Sequence, residues 1–309
     1  MIGDAPEFSY YPDAATIDAW VDGLWQKVQV TGCSAEVLPE QGFRPQFQLP
    51  YMYGYSYVRF EPEGLDPFYG YWQPAPSQPA PLLVHTPGYG AEISVHPSLV
   101  MQGYNVLHIN PLGYMTPDGP DAGKSVGGQW PVFTETALGH AKKGYGSWFL
   151  NCMQAIRWAE TQSAVIPGRV SFFGTSQGGG ATLLLGSIYR DHGVRCIAAD
   201  EPWMINFPMY KQLKPDWWSM LPGEDSALVG ASQVWRALGT IDALSHAHRL
   251  TLPVLLTAGS LDTTCPAATI ETLFARLPRT RAYVNIHGRD HRYTQELIGL
   301  ISAWFRMYA

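Results

Sequence analysis

Charge is scarce in this chain. Only 15% of its 309 residues are Asp, Glu, Lys or Arg, the net charge is −6, and Lys and Arg nowhere cluster. Such a chain offers little to a phosphate backbone or an anionic bilayer, so nucleic acid and membrane are not expected as partners. Long apolar runs are missing too, with no stretch of about 18 residues that could span a bilayer. The opening "MIGDAPEFSYYPD" carries acids where an export signal needs basic and then apolar residues. Cysteine is sparse: Cys33, Cys152, Cys196 and Cys265 lie far apart. Reduced thiols and a cytoplasmic location are therefore expected. The low charge does not signal disorder, because aromatics make up 13% and the 31 Gly and 25 Pro suit a loop-rich globular chain. No repeat or linker divides it, so residues 1–309 are expected to form one domain with a sizeable core.

Periodicity supplies the architecture. Residues 16–30 place Ile17, Trp20, Val21, Leu24, Trp25 and Val28 on one helical face. The aromatic, alternating stretches "YMYGYSYVRFEP" (51–62) and "FYGYWQPA" (68–75) predict antiparallel strands. From there the pattern becomes strand, loop, helix. Strands are predicted at 82–85, 106–109, 170–173, 196–199, 254–258 and 282–286. Helices are predicted near 94–102, 147–163, 178–191, 266–277 and 291–308. This is the signature of an α/β fold, a mostly parallel central sheet with helices on both faces. Two segments break the rhythm: the glycine-rich 111–146 and the tryptophan-bearing 203–247. Both could wall a site, the second as a cap.

Within "RVSFFGTSQGGGATLLLG" (169–186), a lone serine sits between a β-prone run and a helix-prone one. Gly174-Thr175-Ser176-Gln177-Gly178 fits G-x-S-x-G, a sharp strand-to-helix turn with the serine at its apex. An ordinary glycine-rich turn would carry the same pentapeptide; the strand before it and the helix after it favour a nucleophile. Serine needs a base to accept its proton, and the base needs an orienting acid. The expected chain order is Ser, acid, His. "LPVLLTAGSLDTTCP" supplies Asp262 in a turn after the next-to-last strand, where a helix cap is its plainer role. Asp200, ending the preceding strand, is the rival. "RAYVNIHGRDHRY" offers His287, on the strand end, and His291, in the loop beyond it. His291 is assigned as the base; Asp290 is expected to point elsewhere. The Gln177 N–H, directly after the serine, and the Tyr89 N–H in "TPGYGAE" are the candidate oxyanion donors, with Gly88 and Gly90 letting that backbone turn.

Other motifs carry less. "GPDAGKS" (119–125) is one residue short of a phosphate loop and no strand leads into it. His246 and His248 lack further ligands for a metal site, and no metal or other cofactor is expected. Trp203, Trp217, Trp218 and Trp235 could stack on a sugar, although packing within the cap or at a subunit interface is the plainer reading. Trp203 and Pro111 are retained as candidate substrate contacts.

At these residues the chain resembles the acetyl xylan esterase / cephalosporin C deacetylase family (carbohydrate esterase family 7) of α/β-hydrolases. "GTSQGGG", "LDTTCP", "PGYG", "DEPWMINF" and the helix "IDAWVDGLWQKV" all read like it, over nearly the whole chain. The resemblance implies Ser176, Asp262 and His291 as a catalytic triad, with Tyr89 and Gln177 around the oxyanion. It also implies removal of short acyl groups, typically acetate, from sugar or antibiotic esters by a cofactor-free, cytoplasmic homo-oligomer. Two departures stand out. The family's Arg-Gly-Gln is replaced near 110–113 by Asn110-Pro111-Leu112-Gly113, and its His-Glu pair reads His291-Arg292. A lipase-like esterase or a peptidase could use the same triad, and a non-catalytic binding protein could use the same scaffold.

Overall fold

The structure is a computed structural model that describes residues 5–38, 55–89, 95–121, 144–216 and 231–309. A 3-10 turn, Pro6–Tyr10, leads into α1, Ala14–Val30. Asp13 caps α1 by accepting from the Thr16 N–H at 2.8 Å, and Ile17, Val21, Leu24 and Val28 form its buried stripe. Trp20 and Trp25 flank that stripe and are only partly buried. Strands β1 (Cys33–Leu38), β2 (Ser56–Pro62) and β3 (Phe68–Gln73) follow, then β4 (Ala80–Thr86), α2 (Pro97–Met101) and β5 (Asn105–Asn110). A two-stranded ribbon, β6 (Met115–Thr116) with β7 (Gly119–Pro120), comes next. The second half runs α3 (Tyr145–Glu160), β8 (Val165–Thr175), α4 (Gln177–Ile188), β9 (Val194–Asp200), α5 (Phe207–Leu213) and α6 (Ala231–Thr240). It closes with β10 (Val254–Gly259), α7 (Ala267–Arg276), β11 (Arg281–Ile286) and α8 (Gln295–Tyr308).

Nine strands form one mixed sheet in the order β1-β2-β3-β5-β4-β8-β9-β10-β11. Pairing is antiparallel from β1 through β3 to β5 and parallel from β5 to β11. The predicted strands and helices have counterparts with ends shifted by a few residues, apart from 51–54 and residue 94, which lie outside the described residues. Strand β1 was not predicted: its Cys33–Leu38 run is mostly exposed at the sheet edge and carries no apolar alternation.

The parallel strands read as continuous apolar runs because both sheet faces are covered. Leu82, Val84, Leu107, Phe172, Ile197 and Leu256 pack on one face beneath α1, α3, α4 and α7. Their chain neighbours Leu83, Val106, Phe173, Cys196 and Leu255 turn to the other, where Leu99 of α2 and Leu297, Ile301, Trp304 and Phe305 of α8 cover them. This is the α/β-hydrolase arrangement expected from the sequence.

In the described part of 203–247, α6 lies against the N-terminal turn, where a Cβ on Gly239 would come 2.8 Å from Tyr11 and Pro12. Buried Asp242 ties the segment down, accepting from the N–H groups of Asn206, Phe207 and Leu244 and from the Tyr11 hydroxyl at 2.8–3.0 Å. Trp235 is buried in the core. Trp217, Trp218, Gly90 and most of 111–146 lie outside the described residues. Among the described residues, no helix is long and apolar enough to cross a membrane.

Candidate active site

The site forms where the parallel strands end. Strand β8 runs into α4 through Ser176, whose φ of 60° and ψ of −122° put a non-glycine residue in strained backbone territory. The chain holds this strain by clamping the serine from both sides. Its N–H donates to the Asp200 carbonyl at 2.9 Å, and its own carbonyl accepts from Gly180 at 3.0 Å and Trp203 at 2.9 Å. Space at the elbow is tight enough to require glycine. A Cβ on Gly174 would lie 2.6 Å from the Gly178 backbone, and one on Gly178 would lie 2.6 Å from the Pro87 carbonyl. Gly179 and Gly180 serve close packing as well, against the backbones of Asp200 and Trp203.

The three predicted triad residues meet. His291 Nε2 lies 3.0 Å from Ser176 Oγ, and His291 Nδ1 lies 2.8 Å from Asp262 Oδ2. Asp262 Oδ1 accepts from the Thr264 and Cys265 N–H groups at 2.7 and 2.8 Å, so one oxygen shapes the turn while the other faces the imidazole. With Nδ1–H donating to Asp262, the Nε2 lone pair is left for the serine proton. The Asp262 side chain is wholly buried and that of His291 is 26% exposed, which leaves the base accessible to a ligand. His287 is exposed, and Asp290 pairs in solvent with Arg292 at 2.8 Å.

Asp200, the rival acid, is committed elsewhere. It accepts two bonds from Arg289 at 2.8 and 2.9 Å and one each from Thr175 at 2.9 Å and Thr257 at 2.5 Å. The second acid near the base is Glu201, one residue on, which the sequence reading passed over. Its Oε2 is 3.5 Å from His291 Nδ1, its Oε1 is 3.0 Å from Arg289 Nε, and its side chain is fully buried. Burial above all, then the charge of Asp200, pushes its pKa up to about 8, although Arg289 pulls it down. "DEP" at a strand end offers two adjacent carboxylates, and sequence alone does not reveal which one turns toward the base.

Gln177 opens α4, where its N–H has no acceptor within the helix, and its side chain donates to the Tyr145 hydroxyl at 2.7 Å. The loop after β4 passes the elbow, because the Thr86 hydroxyl donates to the Gly178 carbonyl at 2.7 Å, and exposed Tyr89 follows three residues later. The Trp203 ring is 8% exposed and packs edge-on to Phe207 and Tyr210. Pro111 is buried, with its carbonyl accepting from Asn151 at 2.8 Å. Both positions are built into packing. In the segment that departs from Arg-Gly-Gln, Asn110 closes a turn: its side chain accepts from the Tyr114 N–H at 3.0 Å, and Gly113 takes φ 66°.

Asp262, Cys265 and His291 bring a carboxylate oxygen, a sulfur and a ring nitrogen within 4.8 Å of one another. They do not suit a cation. Both carboxylate oxygens and both ring nitrogens are already hydrogen-bonded, and burial holds the Cys265 thiol well above its usual pKa. His246 is likewise structural, held between the Ser187 hydroxyl and the Thr240 carbonyl at 2.8 Å each.

Solved structures share this framework. An acetyl xylan esterase from Thermoanaerobacterium sp. superposes with a TM-score of 0.74 at 17% identity, covering 96% of this chain and 94% of that one. One from Paenibacillus sp. gives 0.73 at 18% identity, covering each chain in full. The Pyrococcus horikoshii acylaminoacyl peptidase gives 0.57 at 13%, with 78% of this chain covering 39% of that one. Among curated proteins, none matches in sequence. The family model for acetyl xylan esterase matches residues 38–305. With that model spanning most of its length, the chain belongs to the acetyl xylan esterase family and is a carboxylic ester hydrolase of the α/β-hydrolase fold.

Proposed function

We propose that the protein removes acetyl groups from a carbohydrate ester through an acyl-enzyme on Ser176. The carrying observation is the unbroken run from Ser176 Oγ to His291 at 3.0 Å and on to Asp262 at 2.8 Å. Ser176 attacks the ester carbonyl as His291 Nε2 takes its proton, and the tetrahedral intermediate forms. Asp262 holds the imidazolium that results. The Gln177 and Tyr89 N–H groups are the donors assigned to the oxyanion, the first supported by its place at the helix start. His291 then protonates the leaving sugar hydroxyl. Water, activated by the same imidazole, attacks the acetyl-serine carbonyl and releases acetate. Family membership supports the acetyl group and the sugar alcohol. The described residues of 111–146 and 203–247 (111–121, 144–146, 203–216 and 231–247) are the candidate walls of the sugar side, with Trp203 and Pro111 as supports.

The test is a set of initial rates on p-nitrophenyl acetate, butyrate, octanoate and laurate, followed by acetate release from acetylated xylo-oligosaccharides. Rates confined to short chains, lost in Ser176→Ala, are expected. Preference for octanoate or laurate would sink the acetyl assignment. We further propose that the protein works in the cytoplasm as a homo-oligomer, supported by four free thiols and by the family resemblance. Light scattering that returns a mass near 34.2 kDa would reject the oligomer.

A further inference from the structure

We propose that Glu201 is a second acid of the site, a positioning residue that faces Nδ1 of His291 beside Asp262 and supports the imidazolium formed when Ser176 yields its proton. The proposal rests on the ester-hydrolase reading and adds a residue that the Ser-His-Asp scheme leaves out.

The geometry is specific. Glu201 Oε2 lies 3.5 Å from Nδ1, while Asp262 Oδ2 lies 2.8 Å from the same atom. The two acids arrive from neighbouring strands, Glu201 directly after β9 and Asp262 after β10. Glu201 is held in place by its backbone: φ is 38°, its N–H donates to the Thr257 carbonyl at 3.1 Å, and Pro202 follows. Gly259 makes room for the carboxyl, since a Cβ there would come 2.8 Å from Glu201 Oε1.

Yet neither Glu201 oxygen accepts a directed hydrogen bond among the described residues. The Arg289 Nε–H, though 3.0 Å from Oε1, is aimed at the Arg292 carbonyl, and its terminal nitrogens serve Asp200. A buried carboxyl left without donors is costly, and chains tend to eliminate one that has no use. Here the donor it faces is the one that becomes cationic during the reaction. Arg289 holds Glu201 from the far side and also ties the His291 loop to the strand ends, because Leu261 N–H donates to the Arg289 carbonyl at 2.8 Å.

The charged groups around Glu201 are Asp200 at the end of β9, Asp262 after β10, and Arg289, Asp290 and His291 in the loop after β11. Three are acids, and together with burial they keep Glu201 protonated up to about pH 8. Ionised, it adds a second negative charge beside the imidazolium; protonated, it does not.

The experiment measures kcat and KM on p-nitrophenyl acetate from about pH 6 to 10 for the wild type, Glu201→Gln, Asp262→Asn and the double variant, with Ser176→Ala as the blank. The wild type should show a rise in kcat near pH 8. Glu201→Gln should lose that rise, falling about tenfold in kcat at high pH with KM unchanged. Asp262→Asn should stay well above the Ser176→Ala blank, and adding Glu201→Gln should remove most of what is left. Thermal melts check that each variant is folded. If Glu201→Gln does not fold, the Asp262→Asn profile decides alone: activity no higher than the blank overturns the proposal. So does a folded Glu201→Gln whose profile overlays the wild type. A wild type inert on every ester would instead overturn the ester-hydrolase reading itself.

Discussion

Two buried carboxylates, Asp242 and Glu201, are treated in opposite ways. Asp242, in the loop after α6, accepts four directed hydrogen bonds, three from backbone N–H groups and one from Tyr11. Glu201, beside His291, accepts none among the described residues. Burial is the first cause raising both pKa values, but donors restrain Asp242 while neighbouring acids push Glu201 further, to about 8. The first carboxylate is structural: its lone pairs are saturated and it fixes where two segments meet. The second keeps free acceptor capacity next to the imidazole that takes the serine proton. Satisfaction of lone pairs thus separates an acid that builds the fold from one available to the reaction.

The largest expected effect comes from removing the nucleophile whose proton the base beside Glu201 takes. Ser176→Ala should lower turnover by on the order of 10⁶ while leaving the melting temperature nearly unchanged. Active-site titration with a serine-reactive phosphonate would confirm the loss of the reacting group. Residual turnover within about 100-fold of the wild type would disprove Ser176 as the nucleophile. Next in size is Gly178→Ala, which acts on the fold. Its Cβ would press on the Thr86 and Pro87 carbonyls, which are backbone and give way poorly. A loss of about 3 kcal/mol is expected by denaturant unfolding, and an unchanged midpoint would mean that the elbow relaxes freely.

How much of this could be read beforehand depends on whether a feature is written in local pattern. The parallel strands were legible because both of their faces are apolar, giving runs such as Val254–Gly259 that nothing else explains. The elbow was legible because strand, serine and glycines are contiguous. His291 was separable from His287 by loop position. Strand β1 was not legible, since an exposed edge strand needs no apolar alternation. Glu201 and Arg289 were missed because their roles arise only where three strand ends converge, 88 residues apart in sequence by the difference of their numbers. Asp200 attracted the attention instead, and only its four donors show that it is occupied. The part played by Gly179 and Gly180 was not legible either, since only the neighbouring backbones make them close-approach positions.

Asp242→Asn tests the saturated half of the comparison. The amide puts an N–H₂ where two donors already point, so a loss of about 2 kcal/mol is expected in denaturant melts. Turnover per folded molecule should be unchanged, because Asp242 has no bond to the triad. A variant as stable as the wild type would mean that the four bonds contribute little beyond what an amide restores.

The last test is the most discriminating, because it opposes the two halves within one residue. The pKa of Glu201 is about 8 in the folded chain, against roughly 4.3 for a free glutamate. Between those values the folded protein retains a proton that the unfolded chain has released. Its contribution to stability is therefore whole below the lower value and is lost as pH rises through the upper one. Glu201→Gln removes that slope, so its melting temperature should gain on the wild type from about pH 5 to about pH 9. Parallel melting curves would show that Glu201 is already ionised in the folded state. If the curves do converge or cross, the group that retains its proton in the fold is the one that supports the imidazolium once it ionises. The decline in stability would then level off near pH 8, where turnover makes its rise, and Glu201→Gln would abolish both features together.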